Sequence, residues 1–297
     1  MRKILAVVLL VLVCDFVFAQ RDTIANPNSI DKIPFYEQLY RFRVWRNVNL
    51  RERQNAGFKS AKSDIGDFLI KAIKNGSLVA YDGDSVKAAK TTEEVMMLNK
   101  AIKQAAYNPQ QTYTTTEQVS YQGKNYASTR NDNIGHLPTD SEWWELSAEQ
   151  DAVLQASQIA ELQIVEDVIF DRRRSRLYYD IQYIGIIVER DGQYNPMGYV
   201  YYKEFARLVE KSAHSKSLDE RDRVQWRNRY NPAENKNFVD AFKLRLFHGI
   251  IEKVENPDDR TIEQVYSSNG RTYGESVFAR WEEEMKLMEK EHNLWEY

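Results

Sequence analysis

Apolar and polar side chains alternate most clearly between Tyr40 and Leu50. Even positions carry Tyr40, Phe42, Val44, Arg46, Val48 and Leu50, and odd positions carry Arg41, Arg43, Trp45, Asn47 and Asn49. A period of two sends each set to one face of a strand, so the stretch predicts β-structure. Arg46 is the one charge on the apolar face. It needs a carboxylate or carbonyl partner and is read as a buried structural residue. The period then lengthens. Ile65, Phe68, Leu69, Ala72 and Ile73 share one face of a helix capped by Ser63. Asn75-Gly76 ends it, because Gly76 can take the left-handed conformation at no steric cost. A short strand is predicted at Leu78–Tyr81, a turn at Asp82-Gly83-Asp84, and a further helix from Thr91 to Ala106.

The second half repeats these alternatives. Thr139 and Glu142 form a capping-box pattern for a helix directed toward Val165. Arg176 to Val188 begins with alternation and ends in a continuous apolar run, as in a strand that becomes central to a sheet. Tyr199–Tyr202 reads as strand and Phe205, Leu208 and Val209 as a short helix. Phe238, Ala241, Phe242 and Leu246 define another helix, stopped at His248-Gly249 before a strand at Ile250–Val254. The chain closes on a charged helix from Glu275 to Asn293, with Val277, Trp281 and Met285 on one face. Asp67–Gly76 and Ala241–Gly249 look alike, each a helix, a glycine and then a strand, which fits either a duplicated unit or two uses of a common motif.

Between these halves, Asn108–Pro138 is rich in Gln, Thr, Ser, Asn and Tyr and poor in aliphatics, with a hairpin signal at Gly123-Lys124. The expectation is an α+β fold of mixed sheets and amphipathic helices in two lobes, residues 20–107 and 139–297, joined by a polar linker at 108–138.

The first residues change where the protein is expected to work. Arg2 and Lys3 precede an apolar run from Ile4 to Val13, and Val17-Phe18-Ala19 offers a signal-peptidase site. The ten-residue run is too short for a hydrocarbon core of about 30 Å. Residues 1–19 therefore read as a signal peptide, cleaved after Ala19 to leave Gln20. Cys14 lacks the small preceding residue a lipidated cysteine requires. Cys14 is also the only cysteine, so the mature chain can build no disulfide or thiolate site and must rely on its core. Taking Arg2, Lys3 and Asp15 from 41 basic and 44 acidic residues leaves a net charge of −4. That balance argues against a nucleic-acid partner.

Candidate chemistry is sparse. His136, His214, His248 and His292 fall in no metal-binding spacing, and no phosphate loop, Gly-x-Ser-x-Gly elbow or cofactor cradle is present. Glu161, Glu166, Asp167 and Asp171 could pair as in a glycoside hydrolase, or simply form a solvated face. Trp143-Trp144 could stack on a glycan. The strongest charge feature is Arg172-Arg173-Arg174 with Arg176, read as lying between a helix and a strand. Together with Tyr178 and Tyr179 it is a candidate docking patch for an acidic partner, against the alternative of a solvated or internally paired turn.

Arg43-Val44-Trp45-Arg46-Asn47-Val48-Asn49-Leu50-Arg51-Glu52-Arg53-Gln54-Asn55 resembles the N-terminal signature of the gliding-motility GldN family, also called PorN. Ile169-Phe170-Asp171-Arg172-Arg173-Arg174-Ser175, Val200–Arg207, Phe238–Phe242, Ile251–Asn256 and Arg260-Thr261-Ile262 resemble it in the same order. The likeness runs from about Ile33 to Lys290. It implies a non-enzymatic subunit of the type IX secretion and gliding machinery, without cofactor, periplasmic and peripheral to the outer membrane. The implied partners are an outer-membrane lipoprotein, GldK or PorK, the periplasmic part of the motor protein GldM or PorM, and further copies of the chain in a large ring. An exported glycan-binding module or carbohydrate-active enzyme is the alternative that the residues alone leave open.

Overall fold

The computed structural model describes residues 24–84, 86–99, 104–147, 152–190 and 192–293. The expected signal peptide and its cleavage site lie outside the described residues. The chain divides into two compact units: residues up to Lys90 together with Ala156 onward, and Thr91–Gln155.

The larger unit is built on a seven-stranded antiparallel sheet. Its strands are β1 (Gln38–Asn49), β2 (Tyr81–Asp82), β3 (Ala88–Ala89), β4 (Ile159–Asp171), β5 (Arg176–Arg190), β6 (Gln193–Tyr201) and β7 (Ile250–Val254), in the spatial order β7-β1-β4-β5-β6-β2-β3. Its helices include α1 (Ile65–Lys74), α2 (Tyr202–Ala213), α3 (Phe238–Lys243), α4 (Ile262–Ser268) and α5 (Tyr273–Asn293). The fold is α+β, as the periodicities indicate, and β5 is the middle strand of the sheet.

β4 corrects the helix directed toward Val165. All but one of its residues are buried, on both faces of the strand. Its even positions carry Ala160, Leu162, Ile164, Val168 and Phe170 and its odd ones Glu161, Gln163, Asp167 and Asp171, an alternation interrupted by Glu166 on the apolar side and by Val165 and Ile169 on the polar side. Thr91 does begin a helix with a capping box, but that helix stops at Met96 and strand follows at Met97–Asn99. Asp64, not Ser63, caps α1: its Oδ1 accepts from the N–H of Gly66 at 2.8 Å and of Asp67 at 3.3 Å. The strand expected at Leu78–Tyr81 begins only at Tyr81.

Gly76 has φ +73° just past the Asn75 C-cap of α1. Gly249 works differently. Its φ is not positive, and α3 ends earlier, at Lys243. A Cβ at Gly249 would sit 2.9 Å from Val48 Cγ2 and 3.0 Å from Arg46 Cγ, so only glycine lets this segment close onto β1.

α5 is rotated away from the expected face. It buries Ser276, Ala279 and Leu287 against Val44, Val168, Ile251 and Ile262, leaving Trp281 and Met285 exposed and Val277 only partly covered. Small side chains at 276 and 279 allow close approach to the sheet. Arg280 then fixes the rotation through Glu252 at 3.3 Å and Glu263 at 2.6 Å.

The smaller unit contains the polar stretch expected to be a linker. Gln118–Tyr121 and Lys124–Ser128 pair as a hairpin, with positive φ at Gln122 and Gly123, and Trp144–Leu146 adds a third strand. Its core is aromatic: Tyr113, Val119 and Trp144 are buried, with Tyr107, Tyr126 and Trp143 packed around them. Counting aliphatics overlooks such a core, because the tyrosine and tryptophan rings supply the apolar area.

Candidate functional site

The arginine cluster occupies a hairpin between two strands, not a helix-to-strand junction. Asp171 and Arg176 form the last pair of the β4–β5 ladder, and Arg172–Ser175 make the turn, with Ser175 at φ +49°. The buried Asp171 carboxylate builds that turn. Its Oδ1 accepts the backbone N–H of Arg173 at 2.9 Å and of Arg174 at 3.2 Å, and its Oδ2 accepts from Arg174 Nη1 at 3.2 Å. The turn is held in place by the N–H of Arg172, which donates to the Glu37 carbonyl at 2.8 Å, and by an ion pair from Arg173 to Glu37 at 3.5 Å.

All four arginine side chains are exposed. The Arg174 and Arg176 guanidiniums stand 5.7 and 4.3 Å from the centre of the Tyr178 ring, and Arg176 Nε donates to the Tyr178 hydroxyl. Arg172 and Arg176 have no acidic partner among the described residues. Tyr179 is on the opposite face of β5 and belongs to another system. It packs against the core and lies 4.0 Å beneath the guanidinium of Arg245. Burial raises its hydroxyl pKa above the ordinary value. The structure therefore groups Arg172, Arg173, Arg174, Arg176 and Tyr178, and assigns Tyr179 to the interior.

That interior system centres on Arg46, which is 4% exposed. Arg46 Nε donates to Glu166 at 3.1 Å, its Nη1 donates to the Gly249 carbonyl at 2.9 Å, and it also pairs with Glu284 of α5. Arg245 donates to the other Glu166 oxygen at 2.8 Å, which closes an Arg–Glu–Arg arrangement. Burial by itself would raise the Glu166 carboxyl, but Arg245 and Arg46 hold it below its ordinary value. Sequence reading singled out Arg46 but not Arg245 or Glu284, because Arg245 lies 79 residues from Glu166 and Glu284 lies 238 residues from Arg46, distances that leave no local signal.

The groups that could serve other chemistry have structural partners. Asp167 pairs with Arg43 at 2.7 Å. Glu161 accepts from Asn49 Nδ2 at 3.3 Å, and burial, then the charges of Glu252 and Glu52, push it up to about 7. Asp180, hydrogen-bonded by Ser29 and by Gln182 at 2.6 Å, is likewise pushed up to about 7, first by burial and then by Asp167. Glu161, Glu166, Asp167 and Asp171 line neither the cavity of about 450 Å³ beside α1 nor that of about 720 Å³ beside the hairpin. Trp143-Trp144 do not form a flat exposed pair. Trp144 is buried, with its Nε1 donating to the His136 carbonyl at 2.8 Å, while Trp143 is stacked on His136 at 3.9 Å with Arg130 5.2 Å from its ring centre.

Among the described residues no helix is long and apolar enough to cross a membrane. No curated protein sequence matches the chain. Residues 33–296 match the family described as gliding motility associated protein GldN, over the same stretch that carries the ordered motifs around Arg46, the arginine hairpin and β7. The chain belongs to the GldN family of gliding-motility-associated proteins.

Proposed function

We propose that this protein is a non-enzymatic structural subunit of the type IX secretion and gliding machinery, placed in the periplasm against the outer membrane after removal of residues 1–19. It holds an outer-membrane lipoprotein of the GldK or PorK kind and the periplasmic part of a GldM or PorM motor protein, and it self-associates in a ring. Membership of the GldN family carries this reading.

The arginine hairpin supports it. A ring with one copy following another needs a heterologous interface, in which one patch meets a different patch. Arg172, Arg173, Arg174 and Arg176 with Tyr178 project from the end of a rigid ladder. Arginine and tyrosine are the side chains that interfaces favour, since they combine buried area with directional hydrogen bonds. The partner facing them presents carboxylates.

The decisive experiment is co-purification from envelope fractions with Arg172→Glu and Arg174→Glu combined. The expected result is a folded protein that retains less of the lipoprotein or the motor partner. Wild-type recovery of both partners would remove the hairpin from the interface. Intact type IX secretion in a deletion strain would overturn the functional reading itself.

A further inference from the structure

Helix α5 carries a second apolar stripe that the fold leaves uncovered. Phe278, Trp281, Met285 and Met288 are 69, 48, 55 and 56% exposed. Their spacing of three, four and three residues is that of the a and d positions of a heptad, so the four side chains form one continuous seam. The seam cannot be spare core for its own sheet. Ser276, Ala279 and Leu287 already bury the opposite face, and Arg280 and Glu284 lock the rotation through Glu252, Glu263 and Arg46.

Charge decides what can cover it. With Phe278 at position a, the flanking e positions are Glu282 and Glu289 and the g positions are Glu284 and Glu291; Glu284 is turned to Arg46, which leaves Glu282, Glu289 and Glu291 to flank the seam. The cations of the helix are turned elsewhere: Arg280 inward, Lys286 to Glu283, and Lys290 over the Phe42 ring at 4.7 Å. A second copy laid along the seam would set glutamate against glutamate in either direction, because parallel helices pair g with e and antiparallel ones pair e with e and g with g. An anionic membrane surface is repelled by the same carboxylates.

We infer that the exposed seam of α5 is a docking strip for an amphipathic helix of another protein, apolar on one face and flanked by lysine or arginine. Two thioether side chains at one end let the strip adapt to the incoming face, while Phe278 and Trp281 supply the anchors at the other. This inference does not depend on the type IX reading, and it concerns a surface distinct from the arginine hairpin.

The test uses the mature chain and a three-heptad helical peptide with Leu at a and d and Lys at e and g, beside a twin with Glu at e and g. Calorimetric titration is expected to show binding of the Lys-flanked peptide only. Trp281→Ala with Met285→Ser should weaken it by roughly tenfold or more, with an unchanged melting temperature because the side chains are exposed. Glu282→Lys with Glu289→Lys should reverse the preference toward the Glu-flanked peptide, a gain that misfolding cannot mimic. Equal affinity for both peptides would overturn the proposal. So would self-association in sedimentation, or uptake by phosphatidylglycerol vesicles, if the Trp281→Ala, Met285→Ser variant abolished it.

Discussion

Arg46 and the arginines of the β4–β5 hairpin carry the same guanidinium in opposite settings. Arg46 is sealed between sheet and helices, and its donors are taken up by Glu166, Glu284 and the Gly249 carbonyl. Arg172 and Arg176, at the turn end of the β4–β5 ladder, are exposed and meet no carboxylate among the described residues. A buried charge is a commitment within the molecule, since removing one partner strands the other away from water. An exposed arginine contributes little to folding and remains available to a partner. The comparison separates residues that hold the fold from residues that can bind.

The largest effect should come from breaking the interior side. Arg46→Ala leaves Glu166 sharing only Arg245 and leaves Glu284 without its mate, so a loss of about 3–5 kcal/mol in urea unfolding is expected. An unchanged midpoint would erase the distinction between the two regions. Gly249→Ala attacks the same network through sterics. The added methyl would press on Val48 and Arg46, and destabilisation of about 1–3 kcal/mol should follow. A neutral outcome would mean that the segment can shift and that its closeness to β1 is unimportant.

A smaller effect sharpens the comparison on the acidic side, by contrasting a doubly paired carboxylate with two that form no ion pair among the described residues. Glu161 and Asp180 titrate near pH 7 in the fold and at ordinary carboxylate values in the unfolded chain. Between roughly pH 4 and pH 7 the native state thus binds more protons, and stability declines as pH rises through that window, then levels off. The melting temperature should be higher at about pH 5.5 than at about pH 7.5. Glu161→Gln with Asp180→Asn should flatten that slope. Glu166 acts in the other direction: its contribution is present above its unfolded value and is lost only as pH falls through its lowered folded value. The smallest effect on folding belongs to Arg172→Glu with Arg174→Glu: Arg172 meets no carboxylate and Arg174 gives up one hydrogen bond to Asp171, so the urea midpoint should fall only slightly while partner recovery falls. A midpoint lowered as far as in Arg46→Ala would make the hairpin a structural element instead.

Periodicity made much of the larger unit legible. β1, β7 and α1 were readable because each has a partly wet face or a clear stop, and β5 because alternation at Leu177, Tyr179 and Ile181 leads into a continuous apolar run. β4 was not, because Glu166 interrupts its apolar side while Val165 and Ile169 interrupt its polar one. The small unit was hidden for a compositional reason: its core is assembled from Tyr107, Tyr113, Tyr126, Trp143 and Trp144, residues that also populate loops. For the site, the arginine cluster was visible as a run of like charge, but its hairpin setting followed from β4 being a strand. In α5 the sequence groups Val277, Trp281 and Met285 on one face but does not say which apolar stripe the sheet will take, and the sheet takes the one with Ala279 and Leu287.

The sequence by itself determined the α+β class, the strand around Arg46 and its need for a partner, the left-handed stop at Gly76, and the ordered motifs of the GldN family. These follow from short-range sterics, from alternation and from residue identity, which are properties of neighbouring positions. Only the tertiary structure decided that Arg46 meets Glu166, Glu284 and Gly249, that Tyr179 and not Tyr178 faces the interior, and that Ala279 and not Trp281 faces the sheet. Those choices depend on which surfaces exclude water from one another. Desolvation and packing act between segments far apart in the chain, where no local pattern reaches.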